Sequence, residues 1–127
     1  MANPIYFISG HSDLTQTEFI TYYVPKIKQA LKLCPDCHFV LGDAKGCCTL
    51  ANECLRVLGA NAIVYHTDRY PKNNPGNFPS VGGCKSKSAR NKIMTEVSSH
   101  DIYWIRKGKE KSQVAKNLKR RKKQQSD

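Results

Sequence analysis

The sequence lacks the long apolar runs from which membrane-spanning helices are built. No stretch of the 127 residues approaches the ~20 consecutive apolar residues that cross a bilayer. The start, Met-Ala-Asn-Pro, also lacks the basic and apolar regions of a secretory signal. We therefore expect a cytoplasmic protein without a membrane partner. Its six cysteines are expected to be thiols because that compartment is reducing.

Acidic residues are scarce, and the imbalance of charge is concentrated near the end of the chain. The whole sequence has 21 Lys and Arg against 10 Asp and Glu. Residues 1–105 contain 11 basic and 8 acidic side chains, whereas the last 22 residues contain 10 basic and 2 acidic ones. We predict a folded domain over residues 1–106 and a basic helix or tail over residues 107–127 with a disordered end.

Repeats are also absent, and the apolar residues of the predicted strands form short continuous runs. Strands are predicted at residues 4–9, 38–41, 62–65 and 101–106. Helices are predicted at residues 15–33, 47–58 and 88–98. Continuous apolar strands that alternate with helices indicate a parallel sheet covered on both faces. We predict a single-domain, Rossmann-like, three-layer α/β fold with a mostly parallel sheet of four to five strands.

Local signals refine these helices and the long connection before the last of them. Thr15 and Glu18 form a capping box at the start of the first helix, and Pro25 is expected to kink that helix. Residues 67–87 form a long irregular stretch whose aromatic side chains either cover a bound base or anchor the loop. These aromatic residues are Tyr70 and Phe78. The last helix before the basic segment is expected to bury Ile93, Met94 and Val97.

The strongest local motif is Gly-Asp-Ala-Lys-Gly-Cys-Cys-Thr at residues 42–49, between a predicted strand and a predicted helix. Gly42 and Gly46 allow the backbone to approach a ligand, and the N–H groups at a helix start attract an anion such as phosphate. The chain lacks both the nucleoside-triphosphate loop and the Gly-x-Gly-x-x-Gly fingerprint. A simple glycine-closed turn is the alternative interpretation.

Two further segments are expected to reach the same edge of the sheet. Gly10, His11 and Ser12 directly follow the first predicted strand, where His11 is placed to bind a base, a sugar or a phosphate. Arg90 and Asn91 open the predicted helix 88–98, where a guanidinium suits paired hydrogen bonds to phosphate or carboxylate.

Together these three segments resemble the SLOG superfamily, whose relatives include the LONELY GUY phosphoribohydrolases and DNA-processing protein A. The resemblance covers about residues 4–118, in the right order and spacing. It implies a Rossmann-like sheet whose strand tips bind nucleotides or nucleotide-derived molecules, with phosphate held by the glycine loop. It carries these roles onto Gly10, Gly42, Asp43, Lys45, Gly46, Arg90 and Asn91.

The sequence departs from this family pattern at two places. Cys48 stands where relatives usually have an acidic residue, which puts a sugar-hydroxyl contact from that position in doubt. The phosphoribohydrolase signature Pro-Gly-Gly-x-Gly-Thr-x-x-Glu is missing. Cleavage of an N-glycosidic bond needs a positioned carboxylate, and Asp43 is the carboxylate expected at the strand tips.

The resulting hypothesis is that the protein binds a nucleotide or a nucleotide-derived, ADP-ribose-like small molecule. The candidate ligand-binding residues are Gly10, His11, Ser12, Gly42, Asp43, Ala44, Lys45, Gly46, Cys47, Cys48, Arg90 and Asn91. No cofactor is expected, and no metal either, since Cys34 and Cys37 supply only half of a zinc site.

Two alternatives stay open. The first is an N-glycosidic hydrolase or transferase that acts on nucleoside monophosphates and uses Asp43 as its catalytic residue. The second is non-specific nucleic-acid binding through the basic residues between Arg106 and Lys123. The sequence also leaves self-association into a homo-oligomer open.

Overall fold

The computed structural model describes residues 3–110 and 112–125 of the chain. Within this part the chain forms, in order, β1 (Ile5–Ile8), α1 (Gln16–Tyr22), α2 (Val24–Leu33), β2 (His38–Gly42), α3 (Cys47–Leu58), β3 (Asn61–Tyr65), β4 (Ser80–Val81), α4 (Lys87–Val97), β5 (His100–Ile102) and α5 (Gln113–Gln125). None of these described helices is long and apolar enough to span a membrane.

The strands of the described chain form one parallel sheet in the order β4-β3-β2-β1-β5. The chain therefore steps outward from β1 to β4 and then returns through α4 to add β5 on the other side of β1. Such a reversal opens a crevice outside the carboxyl ends of the strands, where ligands bind in open parallel sheets. The predicted parallel α/β architecture is confirmed.

Helices cover both faces of the sheet and make three layers. On one face α1, α2 and α3 bury a large core that includes Ile8, Tyr23, Ile27, Phe39 and Leu55. On the other face α4 packs on β1 and β2 over a smaller core of Phe7, Val40, Tyr65 and Met94. α5 in turn packs on α4. The predicted three-layer Rossmann-like fold is thus confirmed.

The predicted first helix is two helices. Its capping box is present, because the Thr15 N–H donates to Glu18 Oε1 at 3.0 Å and the Glu18 N–H donates to Thr15 Oγ1 at 3.1 Å. The helix is interrupted at Tyr23, and Pro25 occupies the first turn of α2. Proline has no N–H to donate to the preceding turn, so it suits a helix start and not a helix interior.

The buried face of α4 is more polar than the sequence predicts. Met94 is buried as expected, but Ile93 and Val97 are exposed, so that prediction is wrong for two of the three residues. The buried face also contains Arg90, Asn91 and Thr95. Burial of these polar side chains is tolerated because they have partners; the Thr95 hydroxyl, for example, donates to the Asn91 carbonyl at 2.9 Å.

Asparagine side chains hold the long loop after β3 against α3. Asn52 Nδ2 donates to Asn74 Oδ1 at 3.0 Å, and the Gly76 N–H donates to Asn52 Oδ1 at 2.7 Å. Asn74 also bonds both backbone groups of Phe78, whose ring packs against the core, whereas Tyr70 is exposed. Phe78 therefore anchors the loop, and the short strand β4 that follows was not predicted.

The basic segment that was predicted as a helix or tail contains the helix α5, which is docked on the fold. In α5, Val114, Ala115, Asn117 and Arg121 are buried. The Arg121 guanidinium donates to Asp101 at 2.9 and 3.2 Å and to carbonyls of α4 and the turn after it. α5 is thus part of the layer formed with α4. The chain is helical as far as Gln125, and the rest of the predicted disordered end, residues 126–127, lies outside the described residues.

Candidate functional site

A cleft of about 620 Å³ lies at the carboxyl ends of β1 and β2, beside the point where the strand order reverses. Its walls come from residues 7–13, from the turn after β2, from the first two turns of α4 and from residues 108–117. Ligand-binding clefts are typically about 300–1,000 Å³ in volume. The cleft therefore has both the place and the size expected of a small-molecule site.

The charged groups around the cleft are mostly cationic. Lys45, Lys87, Lys109 and Arg90 line it, from three different segments: the turn after β2, α4 and the chain after β5. Asp13 is the one carboxylate among the described residues that line the cleft, and it accepts both hydrogen bonds of a 3.0 and 3.1 Å pair from Arg106. The first turns of α3, α4 and α5 also contribute to the lining, and the N-terminal end of a helix favours anions. The cleft is therefore suited to an anionic ligand.

Arg90 lies at the glycine turn, as the sequence predicts. Its guanidinium packs on Gly42 so closely that a Cβ there would lie 3.0 Å from Cζ. Nη1 donates to Asp43 Oδ1 at 3.1 Å, and both side chains are buried. The positive charge of Arg90 is therefore balanced within the protein before any ligand binds.

Asp43, the predicted catalytic carboxylate, has its hydrogen bonds within the fold. Its second oxygen, Oδ2, accepts the Lys72 N–H at 2.7 Å, and its carbonyl accepts from Asn73 Nδ2 at 3.0 Å. Asp43 is 3% exposed and does not line the cleft. Because both carboxylate oxygens are occupied, Asp43 ties β2, the long loop and α4 together, and the prediction of a catalytic Asp43 is not supported by this geometry.

His11 lines the cleft as a neutral ring. Its Nε2 accepts the backbone N–H of Arg106 at 2.9 Å, so the proton of the neutral ring lies on Nδ1. Burial and the nearby Arg106 charge lower the pKa of His11 below its usual 6.5. His11 is therefore a hydrogen-bond donor at neutral pH and not a cation.

This environment predicts a pH-dependent stability. Because the pKa of His11 is lower in the folded state, the unfolded chain binds the proton more readily, and stability falls as the pH drops below about 6.5. Asp13 and Glu18, which also face Arg106, have lowered pKa values and add their own loss only in stronger acid. We expect His11→Asn to flatten the slope of unfolding free energy between about pH 7.5 and about pH 5.5, measured by urea denaturation. The exposed His38 gives the control, and a slope as steep in His11→Asn as in His38→Asn would contradict the assignment.

Ser9 gives the cleft an unused hydrogen-bonding group. Its Oγ is buried and has no hydrogen-bond partner among residues 3–110 and 112–125, and Ser9 lines the cleft. A buried hydroxyl without a partner costs about 1–3 kcal/mol, and native structures rarely contain one. Ser9 therefore contributes a buried, unpaired hydroxyl to the wall of the cleft. Ser9 was not predicted, although its place between β1 and Gly10 is the signal that could have found it.

Three predicted residues build the site without reaching the cleft. Gly46 has φ +77°, and a Cβ there would collide with the Ser12 carbonyl, so glycine allows the two loops to touch. Cys47 is fully buried in the core beside Gly10, and burial raises the pKa of its thiol well above the usual value. Asp43 is the third such residue. The structure therefore places Cys47 in the core and not in the lining of the cleft.

The other predicted residues line the cleft: Gly10, His11, Ser12, Gly42, Ala44, Lys45, Cys48, Arg90 and Asn91. Burial raises the pKa of the Cys48 thiol and outweighs the opposing effect of Arg90. Cys48 is therefore a protonated, weakly nucleophilic wall residue. Within the described residues, no group of three or more His, Cys, Asp or Glu side chains is placed to hold a metal ion.

Sequence reasoning missed the wall contributed by the chain after β5. Lys109, Ser112, Gln113, Val114 and Asn117 line the cleft. They lie in the segment 107–127, which was predicted to be a basic helix or tail outside the domain 1–106. The spacing of Val114, Asn117 and Arg121 at three, four and seven residues is the signal for a buried helix face, but two of the three side chains are polar.

The parallel α/β sheet with a cleft at its strand tips does not by itself identify a family. A fold of this class hosts many functions, so the function has to be inferred from the residues of the site. Comparison of the chain with protein-family models, with curated proteins and with solved structures found no match.

Proposed function

We propose that this protein binds a phosphorylated, nucleotide-derived small molecule of the ADP-ribose type in the cleft at the ends of β1 and β2. The observation that carries the proposal is the lining of this 620 Å³ cleft, where Lys45, Lys87 and Lys109 surround the space and the nearby carboxylates are paired. An ammonium group pairs with phosphate as a point charge, and helix N-termini add backbone donors.

The neutral groups of the cleft suit the remaining part of such a ligand. The Nδ1–H of His11 offers a hydrogen bond without charge, as a sugar hydroxyl or a base requires, and the unpaired Ser9 hydroxyl lies in the wall of the cleft. Phe7, Ile8 and Met94 give the lining an apolar component. The SLOG resemblance supports the same ligand class, because it implies nucleotide-derived ligands at the strand tips.

Binding without cleavage fits this site better than N-glycosidic hydrolysis. That reaction needs a carboxylate that faces the sugar. Asp13 is held by Arg106, and Asp43 is held by Arg90 and the Lys72 N–H away from the cleft. We therefore favour a binding protein or sensor over a glycosidase.

Calorimetry and thermal unfolding test the ligand class. AMP, ADP-ribose and cyclic nucleotides are compared with adenosine, which has no phosphate. A ligand present at 100 times its Kd should stabilise the protein by about 2.7 kcal/mol. We expect stabilisation by at least one phosphorylated compound and none by adenosine. Failure of every phosphorylated compound, or equal stabilisation by adenosine, would contradict the proposal.

Removal of cleft lysines should weaken this binding selectively. Lys45→Gln and Lys87→Gln each delete one exposed ammonium at the cleft, and we expect the affinity for the phosphorylated ligand to fall about tenfold for each. Lys28→Gln and Lys92→Gln delete exposed lysines that do not line the cleft and serve as matched controls. Titration calorimetry measures the affinities, and equal losses in both sets would show a general charge effect only.

A further inference from the structure

We propose that the exposed lysines of α5 form a second binding surface, separate from the cleft, for the phosphate backbone of a nucleic acid. The surface is defined by the lysines that α5 presents to solvent: Lys116, Lys119, Lys122 and Lys123. Below it is called the α5 lysine surface.

The excess positive charge of the protein lies in one layer of the fold. The residues before Lys85 include 7 basic and 6 acidic side chains, a net +1, whereas Lys85 and the residues after it include 14 basic and 4 acidic ones, a net +10. This second part builds α4, β5 and α5, and α4 and α5 pack together on one face of the sheet. The excess positive charge is therefore concentrated on one side of the molecule, as in proteins that bind polyanions.

The packing of α5 on the fold holds some basic residues of the segment after β5 against acidic side chains and leaves others exposed. Arg121 is turned inward and bound to Asp101, and Arg106, before the helix, is bound to Asp13 and Glu18. The guanidinium groups of these two arginines are held within the fold, so the binding surface is smaller than the basic segment itself. The four lysines of the α5 lysine surface are exposed on the same helix. A docked helix also presents them without the entropic cost of ordering a flexible tail.

The positive surface continues from α5 onto the start of α4. Arg120 Nη2 donates to the Ser88 hydroxyl at 3.0 Å, which brings the two helices together at that point. Lys85, Lys87 and Lys92 are exposed in and beside α4. The exposed acidic residues that the structure describes after Lys85 are Glu96 and Glu110. The α5 lysine surface thus has basic neighbours and little negative charge to oppose a polyanion.

The spacing and the missing apolar face favour a nucleic acid over a membrane. The α5 lysine surface spans seven residue steps, which is about 10 Å of helix. One strand of a duplex carries a phosphate about every 3.4 Å of its axis, so several phosphates fall within that length. A helix that binds a lipid surface needs an exposed apolar face, but Val114 and Ala115 of α5 are buried.

Salt-dependent binding of a fluorescein-labelled duplex DNA of about 20 base pairs tests the proposal by anisotropy. We expect the full chain to bind, with a logarithmic affinity that falls linearly with the logarithm of salt concentration by about 0.9 per phosphate contact. The triple variant Lys116→Gln, Lys119→Gln, Lys122→Gln should lower that slope by about 2–3 and weaken binding at least about tenfold at low salt. Glutamine retains a good helix propensity, so the fold should persist.

A matched triple variant on the opposite layer is the control. Lys28→Gln, Lys32→Gln and Arg56→Gln remove the same charge from exposed positions on α2 and α3, and should leave the slope unchanged. Absence of DNA binding at low salt, or equal losses in both triples, would overturn the proposal. Binding to anionic lipid vesicles but not to DNA would overturn it as well. Thermal shift by AMP or ADP-ribose should be the same in the α5 triple as in the original chain, which separates this surface from the cleft.

Discussion

Replacement of Asp43 by alanine is expected to lower the free energy of unfolding by about 3–5 kcal/mol, as the loss of one partner of a buried ion pair usually does. The variant leaves the buried Arg90 guanidinium without its anion and the Lys72 N–H without its acceptor. Urea denaturation measures the effect. Because Asp43 joins β2, the long loop and α4, its loss should also loosen residues 67–87, which limited proteolysis detects.

A double-mutant cycle separates the ion pair from simple loss of packing. Arg90→Met together with Asp43→Ala removes both charges, so the double variant should be less destabilised than the sum of the single variants. Asp43→Asn removes the charge and keeps the size of the side chain, so it should also lose the ion pair with Arg90 and lower the free energy of unfolding. A loss of unfolding free energy below about 1 kcal/mol for Asp43→Ala would contradict the structural role.

Replacement of Arg121 by alanine should have an effect of similar size, about 3–5 kcal/mol. Arg121 is 6% exposed, and its guanidinium bonds to Asp101 and to the carbonyls of Thr95 and Ser98. Its removal leaves a buried carboxylate and at least two carbonyls without a donor. Arg121→Lys should rescue little of the loss, because an ammonium has three donors and cannot reproduce the planar fork.

The exposed neighbour on the same helix is the control for Arg121. Lys122→Ala should change the unfolding free energy by less than about 0.5 kcal/mol, since Lys122 is exposed. Hydrogen exchange of the α5 amides should rise in Arg121→Ala and in Asp101→Ala and stay unchanged in Lys122→Ala. If Arg121→Ala and Lys122→Ala were equally stable, the buried guanidinium would not hold α5 in place.

The fold could be predicted where residues close in the sequence determine the local structure. Each of the main strands is a short apolar run near a glycine or a polar turn, and the Thr15–Glu18 capping box lies within one helical turn. β4 was missed because Ser80 and Val81 are both exposed and pair only with β3 at the edge of the sheet. No apolar pattern marks a strand of that kind.

The site was predictable in position but not in the role of each residue. Strand order alone places residues after β1 and β2 at one edge, which located the cleft. The pairing of Asp43 with Arg90 joins residues that are 47 positions apart, and no local pattern reveals it. Cys47 and Cys48 are neighbours on a helix, where successive side chains point about 100° apart, so only one of them faces the cleft.

The wall that α5 gives to the cleft makes the two ends of the chain thermodynamically coupled. A molecule that fills the cleft touches residues after β1 and residues such as Asn117 at the same time, so detaching α5 would break part of its contacts. Coupling free energies are reciprocal. A bound ligand therefore stabilises the docked position of α5 by the same free energy by which docked α5 stabilises the bound ligand. Slower amide exchange along α5 would therefore report on occupancy of a cleft whose other walls come from residues 7–13, the turn after β2 and α4.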